Sequence, residues 1–169
     1  MGALTGIRIV DMASLIAAPG AARYLADFGA DVIKVEPPAG DGARTLGWRD
    51  PRDDTALYWK QVGRNKRSVV LDLKAPADLD TMRALVDRSD VLIENSRPGT
   101  LERLGLDPAH LHASNPGLVI LRVTGFGQDG PYAARPGFAT MAEAMGGLRR
   151  STARPTARPC SRRLRSPTR

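Results

Sequence analysis

One cysteine, Cys160, occurs in 169 residues, so no internal disulfide is available and a reducing compartment suits the chain. No apolar run approaches the ~18 residues that a membrane-spanning helix needs. The N-terminus, MGALTGIRIVDMASL, lacks a basic stretch leading into an unbroken apolar one. No signal peptide is expected, and the expected location is the cytoplasm. Histidine is nearly absent: His110 and His112 share one short turn with no further nitrogen or sulfur donors beside them, which disfavours a metal site. Glycine is missing where a dinucleotide fold needs it. Asp11 to Gly20 (DMASLIAAPG) carries one glycine rather than three, and no P-loop lysine motif is present.

Positive charge is abundant but unevenly placed. The formal net charge is +7, yet eight of the 25 basic residues fall between Arg149 and Arg169, a segment without acids. The other 17 stand against 18 acidic residues, so the body of the chain is close to neutral. The segment RRSTARPTARPCSRRLRSPTR has too few apolar residues to form a core and is expected to be disordered. Its restricted residue set is what GC-rich DNA yields in the wrong reading frame, which suggests a frameshift or truncation after about Leu148. The competing reading is a genuine basic tail for an anionic partner. It has no aromatic residue for stacking on bases, which disfavours nucleic acid.

What remains alternates strand and helix. Ile7 to Met12 reads as a strand, followed by a small-residue loop from Ser14 to Gly20 and a helix from Ala21 to Phe28, with Pro19 suited to its first turn. Gly29 is a natural C-terminal cap. Asp31 to Glu36 (DVIKVE) is a short buried strand bounded by Pro37 and Pro38, which cannot donate to a ladder. Gly42 to Asn65 breaks the alternation. It is polar, and its aromatics Trp48, Tyr58 and Trp59 imply packing against a ligand or another subunit. Further strands are expected at Arg67 to Leu73, Asp90 to Glu94 and Leu118 to Thr124. Helices are expected near Asp78 to Arg88, opened by Pro76, from Pro98 to Gly105, from Asp107 or Pro108, and over Phe138 to Leu148. Asp129, in the loop GFGQDGPYAARPG, is a candidate nucleophile, but an aspartate so placed is more often an ordinary turn residue bonding its own backbone. The pattern predicts an α/β fold, a Rossmann-like parallel sheet with helices on both faces.

Four blocks in order carry a resemblance: LTGIRIVDMASLIAAPGAARYLADFGADVIKVEPPAGDGAR, NKRSVVLDLK, DVLIENSRPGTLERLGLD and NPGLVILRVTGFGQDGPYAARPGF. Over about Leu4 to Leu148 the chain resembles the N-terminal part of the family III CoA-transferases, which include formyl-CoA and carnitine CoA-transferases and share their fold with 2-methylacyl-CoA racemases. The resemblance implies that residues 1–148 are the N-terminal part of a Rossmann-like large domain, with 149–169 as the basic tail. It implies coenzyme A as a substrate rather than a bound cofactor, acyl-CoA and a carboxylic acid as partners, and an interlocked homodimer. An aspartate carboxylate in such enzymes attacks the thioester and passes through a mixed anhydride to an enzyme-bound CoA thioester.

By the same resemblance, Ser14, Leu15, Ile16 and Ala17 face the CoA tail near the thioester. Leu71 and Lys74 match positions at the adenine and phosphates. Asn95 and Ser96 fall in the family's glycine-proline block, Arg103 matches a phosphate-binding arginine, and Arg135 is a looser basic match. Lysine offers phosphate a point charge and arginine a two-pronged fork. Two departures stand out. Where racemases carry a histidine followed by aspartate, this chain has Phe138 and Ala139, which favours transfer over racemisation. The family's nucleophilic aspartate lies beyond the helix that begins near Phe138, and no acid follows Glu143 here. No catalytic residue is therefore assigned. The alternatives are a racemase-branch member, a non-catalytic CoA-binding module, and a basic-tailed interaction protein.

Overall fold

The computed structural model describes residues 2–147. The segment 149–169, expected to be disordered, lies outside them. The described backbone divides after Val123 into two compact units.

The first unit is built on five parallel strands: β1 (Arg8–Asp11), β2 (Asp31–Glu36), β3 (Lys66–Val70), β4 (Val91–Glu94) and β5 (Val119–Arg122). Their order is β3-β2-β1-β4-β5. The chain therefore runs outward from β1 through β2 to β3, then crosses back to place β4 on the other side of β1. Between β1 and β4 the connections leave in opposite directions and open a crevice at the carboxyl ends, the usual ligand position in such sheets.

Alternation along the strands sorts side chains to two faces. Ile9, Val32 and Ile93 pack under α1 (Ala17–Asp27) through Ala18, Ala22 and Ala26, whose small side chains let the helix lie close to the sheet. Val10, Val35 and Leu92 point the other way, against Met82 and Val86 of α3 (Pro76–Asp87), Leu101 of α4 (Thr100–Arg103) and Leu111 of α5 (Pro108–Ser114). Both faces are covered, as the near-continuous apolar strands require.

The helix ends follow local chemistry. Pro76 and Pro108 occupy first-turn positions, where the missing N–H costs nothing. Asp107 caps α5 by accepting from the His110 amide at 3.0 Å. Gly29 ends α1 at φ 102°, and a Cβ there would lie 3.0 Å from the Gly2 Cα.

Three expectations are adjusted. α1 begins at Ala17, so half of the expected Ser14–Gly20 loop is already helix. The Gly42–Asn65 segment contains a 3-10 turn (Gly42–Thr45) and α2 (Leu57–Val62), which is too short to show a period in sequence. β3 stops at Val70 rather than Leu73 because the Asp72 carboxylate accepts from the Lys74 amide at 3.1 Å and turns the chain.

In the second unit, the Thr124 hydroxyl donates to the Gly127 carbonyl at 2.8 Å, and Phe126 meets Tyr132 edge to face at 5.7 Å. A Cβ on Gly125 would come within 2.6 Å of the Gly137 Cα, so that crossing needs glycine. α6 (Ala139–Met145) follows, shorter than the Phe138 to Leu148 expected.

Candidate functional site

The segments that follow β1 and β4 are joined by a reciprocal clamp. Asn95, just past β4, accepts from the Ser14 amide at 2.9 Å and donates to the Ser14 carbonyl at 2.8 Å. Ser96 is fixed in turn, since its amide donates to the Glu94 carboxylate at 2.6 Å. Ser14, Leu15, Ile16, Ala17, Asn95 and Ser96 are thus brought to one place by the topology.

Leu15 adopts φ 65°, a left-handed conformation that costs a non-glycine residue about 1–2 kcal/mol. Leu15 and Ile16 are nonetheless 46% and 56% exposed. The strained loop thus shows two large apolar side chains to solvent at the carboxyl edge of the sheet.

Four buried charges hold this loop from beneath. Lys66 pairs with Asp11 at 2.8 Å, and Lys34 with Asp41 at 3.1 Å; each of the four side chains is at most 3% exposed. Two ammoniums against two carboxylates leave the cluster neutral, which a buried site requires. Asp11, Asp41 and Lys34 also bond to the loop, and Lys66 reaches the first turn of α1. Asp11 accepts from the Ala13 amide at 3.1 Å, and Asp41 from the Leu15 amide at 3.2 Å. The Lys34 ammonium donates to the Ala13 carbonyl, and Lys66 to the Pro19 carbonyl at 2.7 Å. Burial pushes the Lys66 pKa down against the opposing pull of Asp11.

The sequence reading missed this quartet, although one signal was present. Lys34 interrupts the β-branched run of DVIKVE, and a lysine in the middle of a strand buried on both faces needs a partner.

At the end of β2 stands Glu36, the position where dinucleotide-binding folds keep a ribose-binding acid. Here it is already engaged. The Arg44 guanidinium grips its two oxygens at 2.7 and 2.6 Å, the Ser68 hydroxyl donates to it, and so does the Asp41 amide at 3.0 Å. Burial raises its pKa, but these donors outweigh burial and lower it to about 2. Arg44 also lies 3.9 Å over the Trp59 ring. Trp59 thus packs within the chain, whereas Trp48 is exposed. The occupied Glu36 and the absent glycine fingerprint disfavour a dinucleotide together.

The remaining expected residues lie apart from the crevice. Leu71 follows β3. Its side chain is buried in the α3-side core, and its amide donates to the Glu36 carbonyl at 2.9 Å. Lys74 is exposed just beyond, with no carboxylate partner among the described residues. Arg103 ends α4 and donates to the Thr100 hydroxyl at 2.9 Å. β3 is two strands from β1, roughly 10 Å at the usual strand spacing. Arg135 belongs to the second unit, stacked 4.2 Å over Tyr132.

His112 Nε2 bonds the Leu118 carbonyl at 2.9 Å, a structural contact. No group of three metal-ligating side chains occurs among the described residues. No described helix is long and apolar enough to cross a membrane.

Comparison with known proteins points to one family. The pattern of CoA-transferase family III matches residues 4–165. The beta subunit of succinyl-CoA–L-malate CoA-transferase from Chloroflexus aurantiacus is 53% identical over 146 residues, covering 86% of this chain and 36% of that protein. The succinate–glutarate CoA-transferase of Agrobacterium fabrum is 41% identical over 163 residues, covering 92% of this chain and 40% of that protein. A CaiB/BaiF family protein from Brucella suis superposes with a TM-score of 0.88 at 40% identity, over 94% of this chain and 43% of that one. The chain spans well under half the length of these relatives.

Proposed function

The chain belongs to CoA-transferase family III, and we propose that it is the part of such an enzyme that holds coenzyme A across the carboxyl edge of its sheet. In the complete reaction CoA passes from an acyl-CoA to a carboxylic acid, in a cytoplasmic homodimer. The observation that carries this reading is the Asn95–Ser14 clamp, which seats the strained, exposed Leu15 at the switch point. In this reading Ser14 to Ala17, with Asn95 and Ser96, receive the pantetheine arm and thioester. The backbone at Leu71 and the Lys74 ammonium receive the adenosine end, and Arg103 a phosphate. For Arg135 the family resemblance is the sole support. Succinate is named for the two transferases above, which makes succinyl-CoA the first donor to assay.

The chain's own acids at the sheet edge are unsuited to attack a thioester. Asp11, Asp41, Glu36 and Glu94 each hold a cation already, at 2.8, 3.1, 2.6 and 2.9 Å. In our reading these residues fix the site, and the nucleophilic carboxylate comes from outside residues 2–147. Racemisation is disfavoured because Phe138 and Ala139, at the start of α6, offer no base.

Calorimetric titration of the 169-residue chain with CoA, and with NADPH as control, tests the reading. Saturable binding of CoA alone is expected. Binding of NADPH but not CoA would reject it.

A further inference from the structure

The Lys34–Asp41 pair sits under the only left-handed, non-glycine residue of the β1–α1 loop. Asp41 Oδ1 accepts from the Leu15 amide at 3.2 Å and from the Ala43 amide at 2.8 Å, while Oδ2 meets the Lys34 ammonium at 3.1 Å. Lys34 extends the connection to the Ala13 carbonyl. The backbone is therefore held on both sides of Ser14, and Asn95 holds Ser14 itself from the opposite wall. A buried pair of this kind contributes little net stability, and an apolar pair of equal volume often serves as well. Its bonds to one strained loop are something an apolar pair cannot supply.

We infer that Lys34 and Asp41 are positioning residues for the acyl end of coenzyme A: they impose the left-handed conformation of Leu15, and so set Leu15 and Ile16 against the pantetheine arm. Neither residue touches the ligand. The inference rests on the CoA-binding reading above and adds that the loop is prearranged by charge rather than shaped by the ligand. Two properties follow. Removing the pair weakens the contribution of the pantetheine arm and leaves the nucleotide end alone. Its effect also depends on strain at position 15, because glycine reaches φ 65° without the clash that leucine meets.

A double-mutant cycle on the 169-residue chain tests both. Lys34→Met with Asp41→Leu removes both charges and their bonds to the loop together and leaves no charge unpaired. The pair is removed in the native background and in Leu15→Gly, and binding of CoA and of adenosine 3′,5′-bisphosphate is measured in each. With Leu15 present, removal is expected to weaken CoA about tenfold, the scale of one charge-assisted hydrogen bond, and to leave the bisphosphate unchanged. In the Leu15→Gly background the CoA loss should fall to about a third of that or less. Should that double replacement not fold, Lys34→Met with Asp41→Asn, which removes both charges and keeps a neutral acceptor for the Leu15 amide, runs the same cycle.

Equal losses for both ligands, or equal CoA losses in both backgrounds, would show a general structural role and overturn the inference while the CoA reading stands. Unchanged CoA affinity after removal would do the same. Failure of the unaltered chain to bind CoA would overturn the reading and the inference together.

Discussion

The Arg44 guanidinium closes over both oxygens of the Glu36 carboxylate, at 2.6 and 2.7 Å, and rests 3.9 Å above the Trp59 ring. Glu36 ends β2, Arg44 lies in the 3-10 turn, and Trp59 lies in α2. One carboxylate therefore ties the irregular 42–62 segment to the sheet edge. Its oxygens are thereby engaged where a dinucleotide fold would turn them to a ribose.

This tie should make stability depend on pH. Burial opposes ionisation of Glu36, but Arg44, Ser68 and the Asp41 amide together lower its pKa from 4.5 to about 2. The folded value lies below the unfolded one. The stabilisation is therefore fully present above pH ~4.5 and is lost as pH falls towards ~2. A shift of this size corresponds to roughly 3 kcal/mol. Urea unfolding of the native chain and of Glu36→Gln should show a gap at pH 7 that closes through this window. A gap independent of pH would show that Glu36 is not the titrating group.

The Lys66–Asp11 pair gives a second stability test. Lys66→Met leaves the Asp11 carboxylate buried without its ammonium, which typically costs about 3–5 kcal/mol. Adding Asp11→Asn removes the stranded charge, so the double variant should unfold at higher urea than Lys66→Met alone. The reverse order would mean that water reaches Asp11 and solvates it.

Much of the fold was legible because the strands announce themselves. DVIKVE gave β2 to the residue, and Pro76 and Pro108 marked two helix starts through their fixed φ. α2 escaped because six residues, of which Val62 alone is buried, carry no readable period. The switch-point residues Ser14 to Ala17, Asn95 and Ser96 were named by family resemblance. Their meeting depends on β4 lying beside β1, a pairing across some 80 positions that no local pattern encodes. Asp11, Lys34, Asp41 and Lys66 were hidden for the same reason. Asp11, Asp41 and Lys66 look like ordinary charges until the fold removes their water, and Lys34 alone signals its need of a partner by standing inside an apolar strand.

Binding of the nucleotide end should depend on the exposed cations. Lys74→Ala with Arg103→Ala is expected to weaken CoA by a few kcal/mol at most, since hydrogen bonds to charged groups contribute about 1.5–3 kcal/mol each. Pantetheine, which has no phosphate, should bind the variant and the native chain alike. Unchanged CoA affinity in titration calorimetry would remove both residues from the site.

The 169-residue chain should bind CoA without transferring it. Transfer needs a carboxylate held against the thioester carbonyl, and without that placement a reaction forgoes about 7–11 kcal/mol of proximity advantage. Asp11, Glu36, Asp41 and Glu94 are committed to cations beneath the loop or along the strand ends. Asp129 lies in the glycine-rich turn of the second unit, and no acid follows Glu143 in the sequence. Succinyl-CoA or acetyl-CoA offered with malate or glutarate, the two acids named for the transferases above, should therefore give no exchanged thioester by chromatography. Hydroxylamine makes the test independent of the acceptor, because it intercepts an acyl anhydride or thioester on the enzyme as a stable hydroxamate. No protein-bound hydroxamate is expected after incubation with either acyl-CoA. A hydroxamate that forms on the native chain and disappears in Asp129→Ala would place the nucleophile at Asp129, and the chain would then carry its own catalytic carboxylate.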